Sequence, residues 1–123
     1  MKEELIQKLV QIQLQWKFLH WQTYGDAKHK TYGKLYDNLG PLIDDFVEAM
    51  MGKYGRPEFQ PEFGLMFQDI SSISIQNFMD GITDFLIGFS DQLDSRIDSD
   101  LLNLRDEMLL LINKSKFLLT LKY

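Results

Sequence analysis

Apolar residues open the chain at alternating steps of four and three: Leu5, Leu9, Ile12, Trp16 and Leu19. That spacing marks one face of an α-helix and predicts a helix over residues 3–23. A second apolar row, Ile6, Val10, Leu14, Phe18 and Trp21, lies on another side, leaving only Glu4, Lys8, Gln11 and Gln15 as a clearly polar strip. A helix apolar over most of its circumference needs two partners, its own core and something else. A second subunit is one candidate.

The stretch "TYGD" interrupts the pattern, with Gly25 suited to a helix C-cap and Asp26 to the next N-cap. Residues 27–52 read as a second helix with Tyr32, Leu35, Leu39, Leu42, Ile43, Phe46 and Met50 on its main apolar face. Pro41 removes a hydrogen bond at a cost of about 3 kcal/mol, so a kink or short break is expected near Gly40. Between Gly52 and Ile70 the periodicity fades, and two prolines and three glycines collect. So long a connection is uncommon in a compact domain. A helix of about 26 residues is about 39 Å long, however, and an extended segment of this size can run back along it. A short helix is expected at "EFGLMF", residues 62–67.

Residues 72–94 form the third predicted helix, carrying Ile73, Ile75, Phe78, Ile82, Phe85, Leu86, Phe89 and Leu93. Asp98 or Ser99 caps a last helix with Leu101, Leu104, Met108, Leu111, Ile112, Phe117 and Leu118. No repeat and no strand pattern emerges. Two helical hairpins joined by one long connection make an all-α chain, a ferritin-like four-helix bundle with one long crossover between the second and third helices. Residues 1–123 are expected to form that single domain.

Composition narrows the function. The chain has 123 residues, 45% of them hydrophobic and 25% charged, as in ordinary globular domains. No leader pattern and no run of membrane-spanning length occurs, so no membrane association and a cytoplasmic location are the expectation. The absence of cysteine rules out disulfides and thiolate chemistry. A net charge of −5 argues against nucleic acid as a partner, while surplus carboxylates suit hard cations.

Both histidines flank the predicted turn, His20 five residues before Gly25 and His29 four residues after it. In an antiparallel hairpin they sit at about the same height, each at the border of an apolar face. Taken singly, each has an ordinary explanation: His20 as a last-turn residue facing the helix dipole, His29 as a solvated first-turn residue. Farther along, Asp44 and Glu48 share one face at a single helical turn. Oxygen plus imidazole donors without sulfur suit iron, manganese or zinc. Asp44 lies about 22 Å from His29 along the same helix, so one chain cannot gather all four. Two chains paired antiparallel about a two-fold through their first two helices can, giving two equivalent sites.

The stretch "LHWQTYGDAKH", continuing through "LYDNLGPLIDDFVE", resembles the Dps mini-ferritins, the DNA-binding proteins from starved cells. The likeness is strongest over residues 14–52; the chain also looks like small phage-encoded ferritin-like proteins. His20 and Trp21 match the histidine–tryptophan pair ending that family's first helix. His29 matches its second histidine if the turn is three residues shorter, and Asp44 and Glu48 then fall in register. The resemblance implies an inter-subunit site that binds and oxidises ferrous iron, a homodimer and a hollow dodecameric shell, and residence in the cytoplasm, or the host's if phage-encoded.

Three features depart from that pattern. Gly33 stands where a ligating carboxylate is expected, with Asp37 one turn on as a poor substitute. The basic N-terminal tail of many DNA-binding members is missing. Pro41 falls between the two halves of the motif. The alternative is therefore a non-enzymatic ferritin-like scaffold or interaction protein whose metal site has degenerated.

Overall fold

Leu5, Leu9, Ile12, Trp16 and Leu19 are all buried in the computed structural model, which describes residues 2–62 and 64–121. These residues fold into four α-helices: α1 (Lys2–Gln22), α2 (Asp26–Tyr54), α3 (Ile75–Gly88) and α4 (Ser99–Leu118). Single 3₁₀ turns cover Ile70–Ser72 and Phe89–Gln92, and no strand is present among the described residues. The chain is all-α. None of these helices is long and apolar enough to cross a membrane.

One hydrophobic core draws on all four helices. Trp16 is its hub, with ring centroids 5.4 Å from Tyr32 and 4.8 Å from Phe78. Burial of each such ring contributes about 1.5–3 kcal/mol. The contacts also fix direction. Early α3 meets late α1 through Phe78 and Trp16, and the end of α3 reaches later α2 through Phe89 and Phe46, 5.5 Å apart. Thus α3 runs parallel to α2 and antiparallel to α1. The start of α4 packs beside the end of α2, so those two helices are antiparallel.

Several expectations need correction. Helix α2 continues unbroken through Pro41. Pro41 and Asp37, whose carbonyl loses its helical partner, are both exposed, so water can satisfy that oxygen. Gly25 is the N-cap of α2 rather than the C-cap of α1, with φ −85° and ψ 132°, and Asp26 is the first helical residue. Residues 62–67 form no helix among those described. Helix α3 is shorter than predicted because Ser74 caps it at Asn77 and a 3₁₀ turn follows Gly88. Phe117 and Leu118, placed in the core by periodicity, are exposed.

The segment between α2 and α3 is held by a row of glutamines. Gln7 donates to the Gly64 carbonyl, and Gln11 accepts from the Met66 N–H at 3.0 Å. Gln15 exchanges two bonds with the backbone of Gln68, at 2.8 and 3.0 Å. Gln22 accepts from the Ile70 N–H at 3.0 Å and donates to Asp69. Residues 64–70 thus lie along α1 from its beginning to its end. Gln15, assigned to the polar strip, is only 4% exposed because this strap covers it.

A polar latch closes the opposite end. Asp98, 1% exposed, accepts from the Tyr54 hydroxyl at 2.5 Å and from the Asp94 N–H at 2.8 Å. The Lys53 ammonium lies 3.5 Å from Asp98 and donates to Ile97 and Asp100. Asp98 is the N-cap residue of α4 by position, yet its side chain makes no cap bond to that helix. It is used to tie α2 to α4. The Tyr54 hydroxyl chiefly, and the Asp94 N–H next, hold the Asp98 carboxyl below the usual carboxylate range.

Candidate functional site

The turn at residues 23–25 brings His20, in the last turn of α1, against His29, in the first turns of α2. Their rings stack with centroids 3.7 Å apart and planes 19° from parallel. His20 Nδ1 lies 2.6 Å from the His29 carbonyl oxygen, and His29 Nδ1 lies 2.7 Å from the His20 carbonyl oxygen. A carbonyl only accepts, so each Nδ1 carries the proton and donates. In the neutral imidazoles both Nε2 atoms are then unprotonated. The His20 carbonyl is one of the last four of α1, which lack a partner within the helix. His29 supplies one.

Gly33 makes this arrangement possible. A Cβ there would fall 2.8 Å from His20 Nδ1 and 2.9 Å from Cε1. The ring could withdraw only by giving up its stack and its hydrogen bond together. The glycine standing where a carboxylate is expected is therefore the seat of the His20 imidazole. Beside the pair, Trp21 is 62% exposed, and the Lys17 ammonium lies 5.5 Å from its ring and 4.7 Å from that of Tyr36. These are cation–π distances.

Asp44 and Glu48 lie on the exposed side of α2, and Asp45 joins them. One carboxylate oxygen from each falls within 4.8 Å of the others. Asp37 is exposed between the histidines and this cluster. Within one chain the predicted ligands form two separate groups: the histidine pair at one end of α2 and the carboxylates about 22 Å along it.

Residues 20–119 match a family of unknown function, DUF5856. The chain belongs to that family. The matched span takes in both histidines, Gly33 and the three carboxylates. The chain matches no curated protein and no solved structure.

Three functional-looking features escaped the sequence. Asp45 was adjacent to a recognised acid pair and needed only the distance. The glutamine row does carry a signal, since Gln7, Gln11 and Gln15 recur every four residues on a helix otherwise short of polar positions. The link from Tyr54 to Asp98 spans 44 residues and leaves no local trace.

Proposed function

We propose that two copies of the chain join through α1 and α2 in a ferritin-like bundle and bind ferrous iron, or another divalent metal, at the sites they share. His20 and His29 of one subunit face Asp44 and Glu48 of the other, with Asp37 at the margin and Trp21 supporting the site. The observation that carries this reading is the fixing of both histidines through Nδ1. Metal-binding histidines are typically held in this way, the second nitrogen donating to a carbonyl and Nε2 left for the ion. The path of the strap supports the ferritin-like connectivity: it returns along α1, the one long crossover before α3.

Charge supports the two-fold pairing. Lys30, Lys34, Asp44 and Glu48 are all exposed on α2, and Leu39 lies midway between Lys34 and Asp44 and also between Lys30 and Glu48. An antiparallel two-fold at that level sets each lysine against an acid of the second copy. With iron as substrate, two ferrous ions give one electron each to hydrogen peroxide. With two protons, the peroxide leaves as two waters. The histidines and carboxylates hold the ions before and after the transfer, and Trp21 limits the access of water.

The same charges favour a second reading. If Lys34 and Lys30 neutralise Asp44 and Glu48 across the two-fold, the carboxylates are interface residues and the protein is a scaffold. Anaerobic titration with ferrous iron, followed by oxygen or peroxide, separates the two. Saturable binding, lost with oxidation in both His20→Ala and Glu48→Ala, is the result expected. An intact dimer without binding above background leaves the scaffold.

A further inference from the structure

The chain has no cysteine, so its methionines carry all of its sulfur. Met50, Met79 and Met108 are sealed in the core, none more than 2% exposed, and Met51 is half-buried. Met66, in the middle of the strap, is 81% exposed. Its main chain is nonetheless fixed. The Met66 N–H donates to Gln11, and Gln7 and Gln15 hold Gly64 and Gln68 on either side. Phe67 packs edge-on against Phe18 with ring centroids 4.5 Å apart. A flexible apolar side chain thus stands in water on an anchored backbone, outside the core.

Met66 also borders a cavity of about 300 Å³ between the strap, α1 and the start of α3. Ile12, Phe67 and Phe78 give it apolar walls. A water molecule's share of liquid volume is about 30 Å³, so hydrogen peroxide has ample room. Two hydrogen-bond donors line the same cavity, the Lys8 ammonium and the Gln11 amide nitrogen. Gln11 spends its oxygen on the Met66 N–H. Among the described residues, neither of the two nitrogens makes a hydrogen bond or an ion pair. An oxidisable sulfur and two unspent donors therefore share one opening.

We propose that Met66 is a modification site, a thioether that consumes hydrogen peroxide and becomes methionine sulfoxide, with Lys8 and Gln11 supplying donors to the reacting oxygens. The sulfur gives an electron pair to one peroxide oxygen. An S–O bond forms, the O–O bond breaks, and the proton left on the transferred oxygen passes to the departing hydroxide. Thioether and peroxide thus become sulfoxide and water, with sulfur oxidised by two electrons and peroxide reduced by two. The product oxygen is a stronger acceptor than the thioether, and the two unspent donors suit it. Methionine sulfoxide reductases return the thioether at the expense of a dithiol, so the site can turn over. This step needs no metal and stands apart from the iron reading.

The test treats the full-length, metal-free protein with dilute hydrogen peroxide and follows each methionine by site-resolved mass spectrometry. Met66 should gain its oxygen at least about tenfold faster than Met79 and Met108, and the three rates should converge in the urea-unfolded chain. Met66→Leu should lose the fast phase of peroxide consumption, about one equivalent per chain, with its circular dichroism unchanged. Lys8→Gln removes the ammonium from the cavity and should slow Met66 severalfold. His20→Ala should leave the Met66 rate as it is, which keeps this result separate from the iron titration. Met66 oxidised at the pace of Met79 and Met108 in the folded chain overturns the site. Fast oxidation that is equal in Lys8→Gln overturns the part given to the cavity, and oxidation that requires added iron overturns the metal-free step.

Discussion

His20 and His29 each donate a ring proton to the other's main-chain carbonyl, so the two histidines clasp the turn that separates them. The clasp needs an open lane beside α2, and Gly33 provides it. An unhindered helical Gly→Ala change stabilises by about 0.5–1 kcal/mol. Gly33→Ala is expected to do the reverse, destabilising by about 1–3 kcal/mol as the methyl group forces the ring out. Urea unfolding of the two proteins reads the sign directly.

The metal reading makes a sharper claim at the same position. The sequence resemblance alone predicts that an acid at this position, Gly33→Asp, repairs the site. The structure argues otherwise, because any side chain there meets His20 before it can reach a metal. Gly33→Asp should bind ferrous iron more weakly than the unmodified chain, by anaerobic titration. Tighter binding would mean that Gly33 is a lost ligand and not a seat.

The strap depends on Gln15 more than on the half-buried Gln7, Gln11 and Gln22, since its buried amide satisfies both backbone groups of Gln68. Gln15→Leu keeps the volume and removes both bonds, at a cost of about 1–3 kcal/mol for polar groups left unpaired. Limited proteolysis should find faster cleavage between residues 55 and 70, with the four helices still present by circular dichroism. Unchanged cleavage would show that the Phe18–Phe67 contact alone holds the segment.

The latch between α2 and α4 gives stability a defined pH dependence. The folded pKa of Asp98 is lowered, chiefly by the Tyr54 hydroxyl. Its contribution is therefore complete above its unfolded value of about 4 and is lost as pH falls through the lowered folded value. Tyr54 is raised, mainly by its bond to Asp98, and Lys53 is raised, mainly by its bond to Asp100. Their contributions are present below about pH 10 and are lost only as pH rises beyond that. Tyr54→Phe should lower Tm at neutral pH. The gap from the unmodified protein should narrow as pH falls below about 4 and close only as pH passes through the lowered folded value of Asp98. Parallel melts across that range check it.

What the sequence disclosed followed from periodicity. The core residues of α1 and α2 and the common height of the two histidines were readable because helical geometry converts spacing into position. At Gly33 the sequence shows which ligand type is missing but not which ring fills the space. The break expected near Gly40 does not occur, because the cost of a helical proline depends on whether the orphaned carbonyl meets water. Gln15 looked like surface because burial by a non-periodic strap has no signature at the position buried. Phe117 and Leu118 fall off the face of α4 that Leu101, Met108, Ile112 and Ser115 bury and Leu119 continues.

The pairing proposed for α2 is testable by charge alone. Lys34 and Asp44 are exposed in the single chain, and a two-fold at Leu39 brings each against the other twice. Exposed pairs contribute about 0.2–1 kcal/mol each, and Lys34→Glu turns two attractions into two repulsions. Dimer affinity should fall by about tenfold, corresponding to about 1.4 kcal/mol, and should fall less at high salt. Lys34→Glu combined with Asp44→Lys restores opposite charges and should recover the affinity by sedimentation equilibrium. Recovery in the double variant, against loss in each single one, separates a direct contact from a general effect of net charge. Failure to recover would move the interface off this face of α2, and the inter-subunit metal site with it.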